Sequence, residues 1–301
     1  MMSGFALLFL YMLTSLEVLL GSIPAAMTAK VSAQTITELT DQQDSDVVDQ
    51  QPSFTDFNTL EFCQLSHHYY HEQSDDLFGL QPINLHIEKG ELIYLVGGNG
   101  SGKTTFAKVL CGLYEANEGQ IMVDNHLISS GKLDDYRQLF TTVFGDYHLF
   151  DRLLTISDQS LEEKGNVLIQ NLNLHHKVMI EQGAFSTQKL SQGQRKRLAL
   201  VVAYLEDRPF YLFDEWAADQ DPVFKDVFYT EVLPELKEKG KTILVITHDD
   251  KYFSLADRLL RMENGCLSEI QKSRNPEIQK SRNPEIQKSI YIHKPQLEIQ
   301  Y

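Results

Sequence analysis

Cysteine is scarce in this 301-residue chain: Cys63, Cys111 and Cys266 lie far apart and form no C-x-x-C pair. That spacing argues against a disulfide framework and a cysteine-based zinc site, and it fits a reducing compartment. Positive charge is also short, with 27 Lys and Arg against 42 Asp and Glu and a formal net charge of −15. Without a general positive field for a phosphate backbone, a nucleic-acid coat protein is disfavoured and no nucleic-acid partner is expected. A third shortage is local. Nothing before Gly4 is charged, so the apolar stretch that follows lacks the basic n-region of a signal peptide.

That stretch, Gly4 to Met27, is apolar apart from Glu17 and a few small polar residues. Roughly 20 apolar residues suffice for a helix that crosses a bilayer. The expectation is therefore a transmembrane helix over 1–40, including a polar cytoplasmic extension. Glu17 should face other helices or the interface, and Pro24 should kink the helix or mark its end. Lys30 favours a cytoplasmic location for the C-terminal side. Residues 41–57 are acidic, glutamine-rich and poor in apolar groups, which reads as an exposed linker. At the other end, Glu269 to Pro276 repeats as Glu277 to Pro284 and again in part to Ser289. A proline every eighth residue forbids a long helix, and little is available to bury, so 271–301 reads as a disordered tail.

Between them, 58–270 has the texture of an α/β domain. Leu60 to Leu65 and Ile83 to Ile87 alternate as strands of an antiparallel part. Continuous apolar runs at Leu92 to Val96, Phe210 to Phe213 and Thr242 to Ile246 are what a parallel sheet covered on both faces requires. Helical patterns dominate from Ser157 to Met179, which predicts a helical insert. After the first apolar run comes Gly97-Gly98-Asn99-Gly100-Ser101-Gly102-Lys103-Thr104-Thr105. Strand, glycine-rich turn, helix and the order G-x-x-x-x-G-K-[ST] make this a phosphate-binding P-loop. Glycines let backbone N–H groups point inward at phosphate, and the helix adds the positive end of its dipole. Lys103 would reach the β- and γ-phosphates of a nucleotide, and the Thr104 hydroxyl would hold Mg²⁺.

Asp214-Glu215 closes the second apolar run, where a P-loop enzyme needs carboxylates: Asp214 for the Mg²⁺ shell, Glu215 to polarise the attacking water. Leu190-Ser191-Gln192-Gly193-Gln194 precedes a strong helix, with Ser191 as N-cap and Gly193 open to an anion. This LSQGQ resembles the LSGGQ signature of ATP-binding cassette (ABC) ATPases, and it stands in that family's order between P-loop and Asp-Glu. The resemblance implies that Tyr69, for which neighbouring Tyr70 is the alternative, stacks on adenine, that Asp221 is the D-loop aspartate and that His248 touches the γ-phosphate. One position departs from the pattern: Gly145 stands where the family has a Q-loop glutamine, and Asp146 follows it.

Finer likenesses in VGGNGSGK, YHLFDRL, GQRKRLAL and LFDEWAADQDP resemble the cyclic-peptide and siderophore exporter branch, over Phe5 to Ile270. That likeness implies a P-loop NTPase with an antiparallel β subdomain and a helical subdomain, preceded by the last of six membrane helices. It also implies a head-to-tail homodimer in which Ser191, Gly193 and Gln194 of one copy close over ATP held by the other. The expected setting is the inner (plasma) membrane, with the ATPase on the cytoplasmic side and a membrane domain or subunit as partner. The expected work is ATP-driven export of a cyclic peptide or similar compound. On this reading the chain is a truncated or split exporter. The alternatives are a truncated protein that binds ATP without transport, and a soluble regulatory ABC ATPase.

Overall fold

A computed structural model describes residues 2–43, 54–71, 76–150, 152–153, 159–187 and 189–270. The octapeptide repeats and most of the acidic linker lie outside the described residues. The chain divides into two compact units, Met1–Gln51 and Pro52–Tyr301.

The first unit is one helix, α1, Met2–Gln43. It neither ends nor breaks at Pro24, and it runs three residues into the stretch expected to be linker. A proline removes a single N–H donor, and a long helix absorbs that loss where its neighbours keep their own bonds. Thr28 donates its hydroxyl back to the Pro24 carbonyl at 3.0 Å. Among the described residues no helix is long and apolar enough to cross a membrane. Phe5, Phe9, Tyr11, Leu16, Leu20 and Met27 are all exposed on α1.

The second unit opens with two long strands, β1 (Thr59–His71) and β2 (Asp76–Glu88), then β3 (Leu92–Val96) and helix α2 (Lys103–Leu110). Next come β4 (Glu118–Val123), β5 (His126–Leu127), α3 (Leu133–Arg137) and β6 (Phe140–Val143). The expected helical insert is α4 (Gln159–Asn171), followed by a small ribbon of β7 (Ile180–Glu181) and β8 (Ala184–Phe185). Then α5 (Gln192–Glu206), β9 (Phe210–Asp214), α6 (Pro222–Val227), α7 (Leu233–Glu238) and β10 (Thr242–Ile246) complete the α/β core. A hairpin of β11 (Arg258–Glu263) and β12 (Cys266–Ile270) ends the unit.

The strands form an antiparallel sheet, β2-β1-β4-β5, and a central sheet, β12-β11-β3-β10-β9-β6. In the central sheet β11, β3, β10, β9 and β6 are parallel, and only β12 is antiparallel. Every residue of β3, β9 and β10 is buried, and the period-2 pleat sorts them to two cores. Leu92, Tyr94, Tyr211 and Phe213 join a core with α5, α7 and Trp216. Ile93, Leu95, Phe210 and Leu212 join the other, with Phe106 of α2 and Leu60 and Phe62 of the antiparallel sheet. Burying each such side chain stabilises the fold by about 1.5–3 kcal/mol, which fixes the ends of these strands firmly. Phe57 is also in this second core and Phe54 packs against it, so the packed unit reaches back before Asn58.

Candidate nucleotide site

The site sits where three strands end together. Leu95 of β3 pairs with Ile246 of β10, and Ile246 pairs with Asp214 of β9. The P-loop leaves β3, Glu215 follows β9, and Thr247-His248 follow β10. The carboxyl edge of a parallel sheet is where α/β folds place their ligands.

The P-loop wraps its own lysine. Lys103 is buried and donates to the carbonyls of Gly97 and Gly98, each at 2.9 Å. Gly100 and Gly102 adopt φ of 74° and 105°, conformations that side chains other than glycine's rarely take. At Gly97 an added Cβ would meet the Met262 carbonyl oxygen of β11 at 2.2 Å. The Gly265 N–H donates to the Ser101 carbonyl at 2.9 Å. The β11–β12 hairpin therefore braces the loop from below. Asn99 and Gly100 are exposed at its tip, Thr105 is half-buried on the first turn of α2, and the Ser101 hydroxyl is buried with no hydrogen-bond partner. A buried orphan of this kind fits a loop whose partner is a bound anion.

Thr104 opens toward β9 and donates its hydroxyl to Asp214 Oδ2 at 2.8 Å. Asp214 is buried. Burial lifts its carboxyl above the usual range, and the Glu215 and Asp146 charges add to this while the Thr104 bond and Lys103 oppose it. Asp146 also pairs with Lys108 of α2 at 3.6 Å. Among the described residues no group of three or more His, Cys, Asp or Glu could hold a metal ion. One hydroxyl and one carboxylate suit Mg²⁺ nonetheless, because that ion keeps waters and substrate phosphate oxygens as its other ligands.

Glu215 takes a left-handed backbone, φ 49° and ψ 34°, which costs a non-glycine residue about 1–2 kcal/mol. This turn carries the side chain off the strand, and Glu215 Oε1 lies 3.1 Å from His248 Nε2. His248 is aimed by its neighbours. Tyr229 Oη bonds Thr247 Oγ1 at 2.6 Å and donates to Asp249 at 3.1 Å, and Lys225 holds Asp249 at 3.0 Å.

The Ser191 turn is a capping box at the start of α5. Ser191 Oγ accepts from the Gln194 N–H, and the Ser191 N–H donates to Gln194 Oε1. Asp221 caps α6 by accepting from the Phe224 N–H at 3.0 Å, and Arg197 of α5 binds its other oxygen at 2.5 Å. Among the described residues no hydrogen bond joins Ser191, Gly193, Gln194 or Asp221 to the P-loop. They form a second group. Tyr69 lies on β1 opposite Phe78, and its side chain is outside the described residues. Sequence reasoning missed two supports of this site: Lys196, which is buried behind Glu215, and the hairpin under the P-loop. Asn264-Gly265, with φ 48° and 77°, was the legible signal for that hairpin.

Residues 80–218 match the model of the ABC transporter family. Over 214 residues the chain is 50% identical to ATP-binding protein SyrD of Pseudomonas syringae pv. syringae. The chain belongs to the ATP-binding cassette family. It is an ABC-type ATPase, with ATP as its nucleotide. The matched segment is 70% of this chain and 38% of SyrD, so the chain spans well under half of that relative's length. Two solved structures share the ABC fold. A bacterial Atm1-family ABC exporter with ATP bound has a TM-score of 0.60 at 19% identity, covering 79% of this chain and 44% of the exporter. The ATP-binding cassette MJ0796, dimeric with ADP and Pi, has a TM-score of 0.60 at 21% identity, covering 71% of this chain and 99% of that cassette.

Proposed function

We propose that this ATPase works as a head-to-tail homodimer that drives export of a cyclic peptide or similar compound across the inner membrane. The observation that carries the site reading is the meeting of Thr104-Asp214 and Glu215-His248 at the ends of three adjacent strands. Tyr69 stacks on adenine. The N–H groups of Gly97 to Thr105 surround the phosphates, and Lys103 exchanges its two loop carbonyls for the β- and γ-oxygens. Thr104 and Asp214 are the residues that would hold Mg²⁺, which supplies charge neutralisation on the phosphates. Glu215 accepts the proton of the attacking water, and His248, within reach of its carboxylate, orients toward the γ-phosphate. General-base action of this kind contributes about 10²–10⁴-fold.

One copy is half a site. Ser191, Gly193 and Gln194 stand on α5, apart from their own P-loop, and close instead over the nucleotide of a second copy, with Asp221 at that junction. Closure brings the two halves together, and hydrolysis releases them. The motion reaches the membrane through a membrane domain or subunit, with the ATPase on the cytoplasmic side. The exposed large apolar side chains of α1 favour its contact with a membrane surface, and membrane fractionation tests this. The domain limits that go with this reading are 1–40, 41–57, 58–270 and 271–301. The cargo class rests on the likeness of the motifs to the cyclic-peptide exporter branch, and a reconstituted export assay would check it.

The decisive experiment is Glu215→Gln with ATP and Mg²⁺ on a sizing column with light scattering. The base is lost while the binding groups stay, so a stable ATP-bound dimer is expected. A variant that binds ATP yet remains monomeric would sink the dimer reading.

A further inference from the structure

Lys103 and Lys196 are the two buried lysines among the described residues. Lys103 has a phosphate to meet, and Lys196 has none. A buried ammonium must be paired, because its desolvation is otherwise too costly. Lys196 Nζ lies 2.6 Å from Asp219 Oδ2 and donates to the Glu215 carbonyl at 2.9 Å. That carbonyl belongs to the left-handed residue which carries the base. Asp219 Oδ2 also accepts from Gln192 Nε2 at 3.1 Å, inside the Ser191–Gln194 turn. The Trp216 indole N–H donates to the Lys196 carbonyl at 2.9 Å. Nearby, Gln220 Nε2 donates to the Gly193 carbonyl at 3.1 Å, and an added Cβ on Gly193 would meet the Asp219 carbonyl at 2.8 Å. The turn and the segment from Glu215 to Gln220 are thus one bonded seam, and Lys196 is its buried cation.

We propose that Lys196 is a positioning residue which locks the Glu215 backbone to the Ser191–Gln194 turn, so that closing one site of the dimer sets the base of the other. The proposal rests on the head-to-tail reading above. In that arrangement the turn of one copy senses the partner subunit's nucleotide, while Glu215 acts on its own. A displacement of the turn moves Gln192 and Asp219, then Lys196, then the Glu215 carbonyl. A satisfied core lysine without this role would hold the fold and nothing more.

The test uses the full chain with Lys196→Met, alone and in the Glu215→Gln background. ATP affinity is read with a fluorescent analogue at monomeric concentrations, and kcat with saturating ATP and Mg²⁺. The expected result is a kcat loss of about 10–100-fold, the scale of a misplaced catalytic group, with ATP affinity within about twofold, because no P-loop contact changes. In the Glu215→Gln background, dimerisation should need about tenfold more protein. Emission of Trp216, the single tryptophan, should change on ATP addition in the Glu215→Gln protein and lose that response with Lys196→Met. A folded Lys196→Met with near-wild-type kcat overturns the proposal, as does a parallel loss of kcat and ATP affinity. If Lys196→Met does not fold, Lys196→Gln decides. Its neutral amide needs no counter-ion but is too short to span Asp219 and the Glu215 carbonyl, so the same split is expected, and an unchanged kcat refutes it. A monomeric Glu215→Gln control would refute the dimer reading instead, leaving the kcat–affinity split to judge Lys196.

Discussion

Thr104→Val isolates the bond between the P-loop helix and β9. Valine keeps the shape of threonine and has a similar helix propensity, so the main loss is the hydroxyl that donates to Asp214 Oδ2 at 2.8 Å. A hydrogen bond to a charged group contributes about 1.5–3 kcal/mol. Thr104 itself is exposed, so water replaces part of the bond and the lower end, about 1.5 kcal/mol, applies. For a unit of this size that is a fall of about 3–6 °C in melting temperature. The pH dependence has a definite sign. Asp214 has its carboxyl lifted above the usual range, chiefly by burial, so folding disfavours its charged form. It therefore subtracts stability above its folded pKa, and the subtraction fades as pH falls through that value. Loss of the Thr104 donor lifts the folded pKa further and enlarges the subtraction. The deficit of Thr104→Val should be full at pH 7–8 and shrink toward pH 4. Thermal melts followed by circular dichroism in chelator, at several pH values, measure it. A deficit that is absent, or equal at every pH, refutes the reasoning.

Asp214→Asn should separate stability from activity: removing the buried charge raises the melting temperature in chelator by about 2–4 °C at pH 7, roughly 1 kcal/mol. Steady-state ATPase assays should show at least about a hundredfold loss in the same protein, since the carboxylate assigned to Mg²⁺ is gone. Gly97→Ala drives a Cβ to 2.2 Å from the Met262 carbonyl at φ +155°, and should cost about 2–4 kcal/mol in urea melts. Gly98→Ala meets nothing within 4 Å and should stay within about 0.5 kcal/mol.

What could be read from sequence was set by how local each cause is. The runs at β3, β9 and β10 are legible because burial on both faces removes alternation, and that leaves a mark within five residues. The P-loop is legible for the same reason: glycines, lysine and threonine all serve one turn. Pro24 does not mark the end of α1, because the helix loses one donor there and continues. The β11–β12 hairpin was passed over although Asn264-Gly265 marks its turn, since Arg258, Arg261, Glu263 and Glu269 dilute its apolar signal.

Lys196 is the instructive failure. A lysine in the second turn of a helix, between Arg195 and Arg197, reads as a solvated face. Its burial is decided by Asp219 and the Glu215 carbonyl, which come from a different element and reach α5 only through the packing of β9 beneath it. The residues assigned to the nucleotide were readable one motif at a time. The groups that set their positions relative to one another were not, because each is defined by a pair of positions and no motif contains both. The same split governs mechanism: the motifs specify what one copy can bind, and the seam through Lys196 determines whether binding at the turn is felt at Glu215.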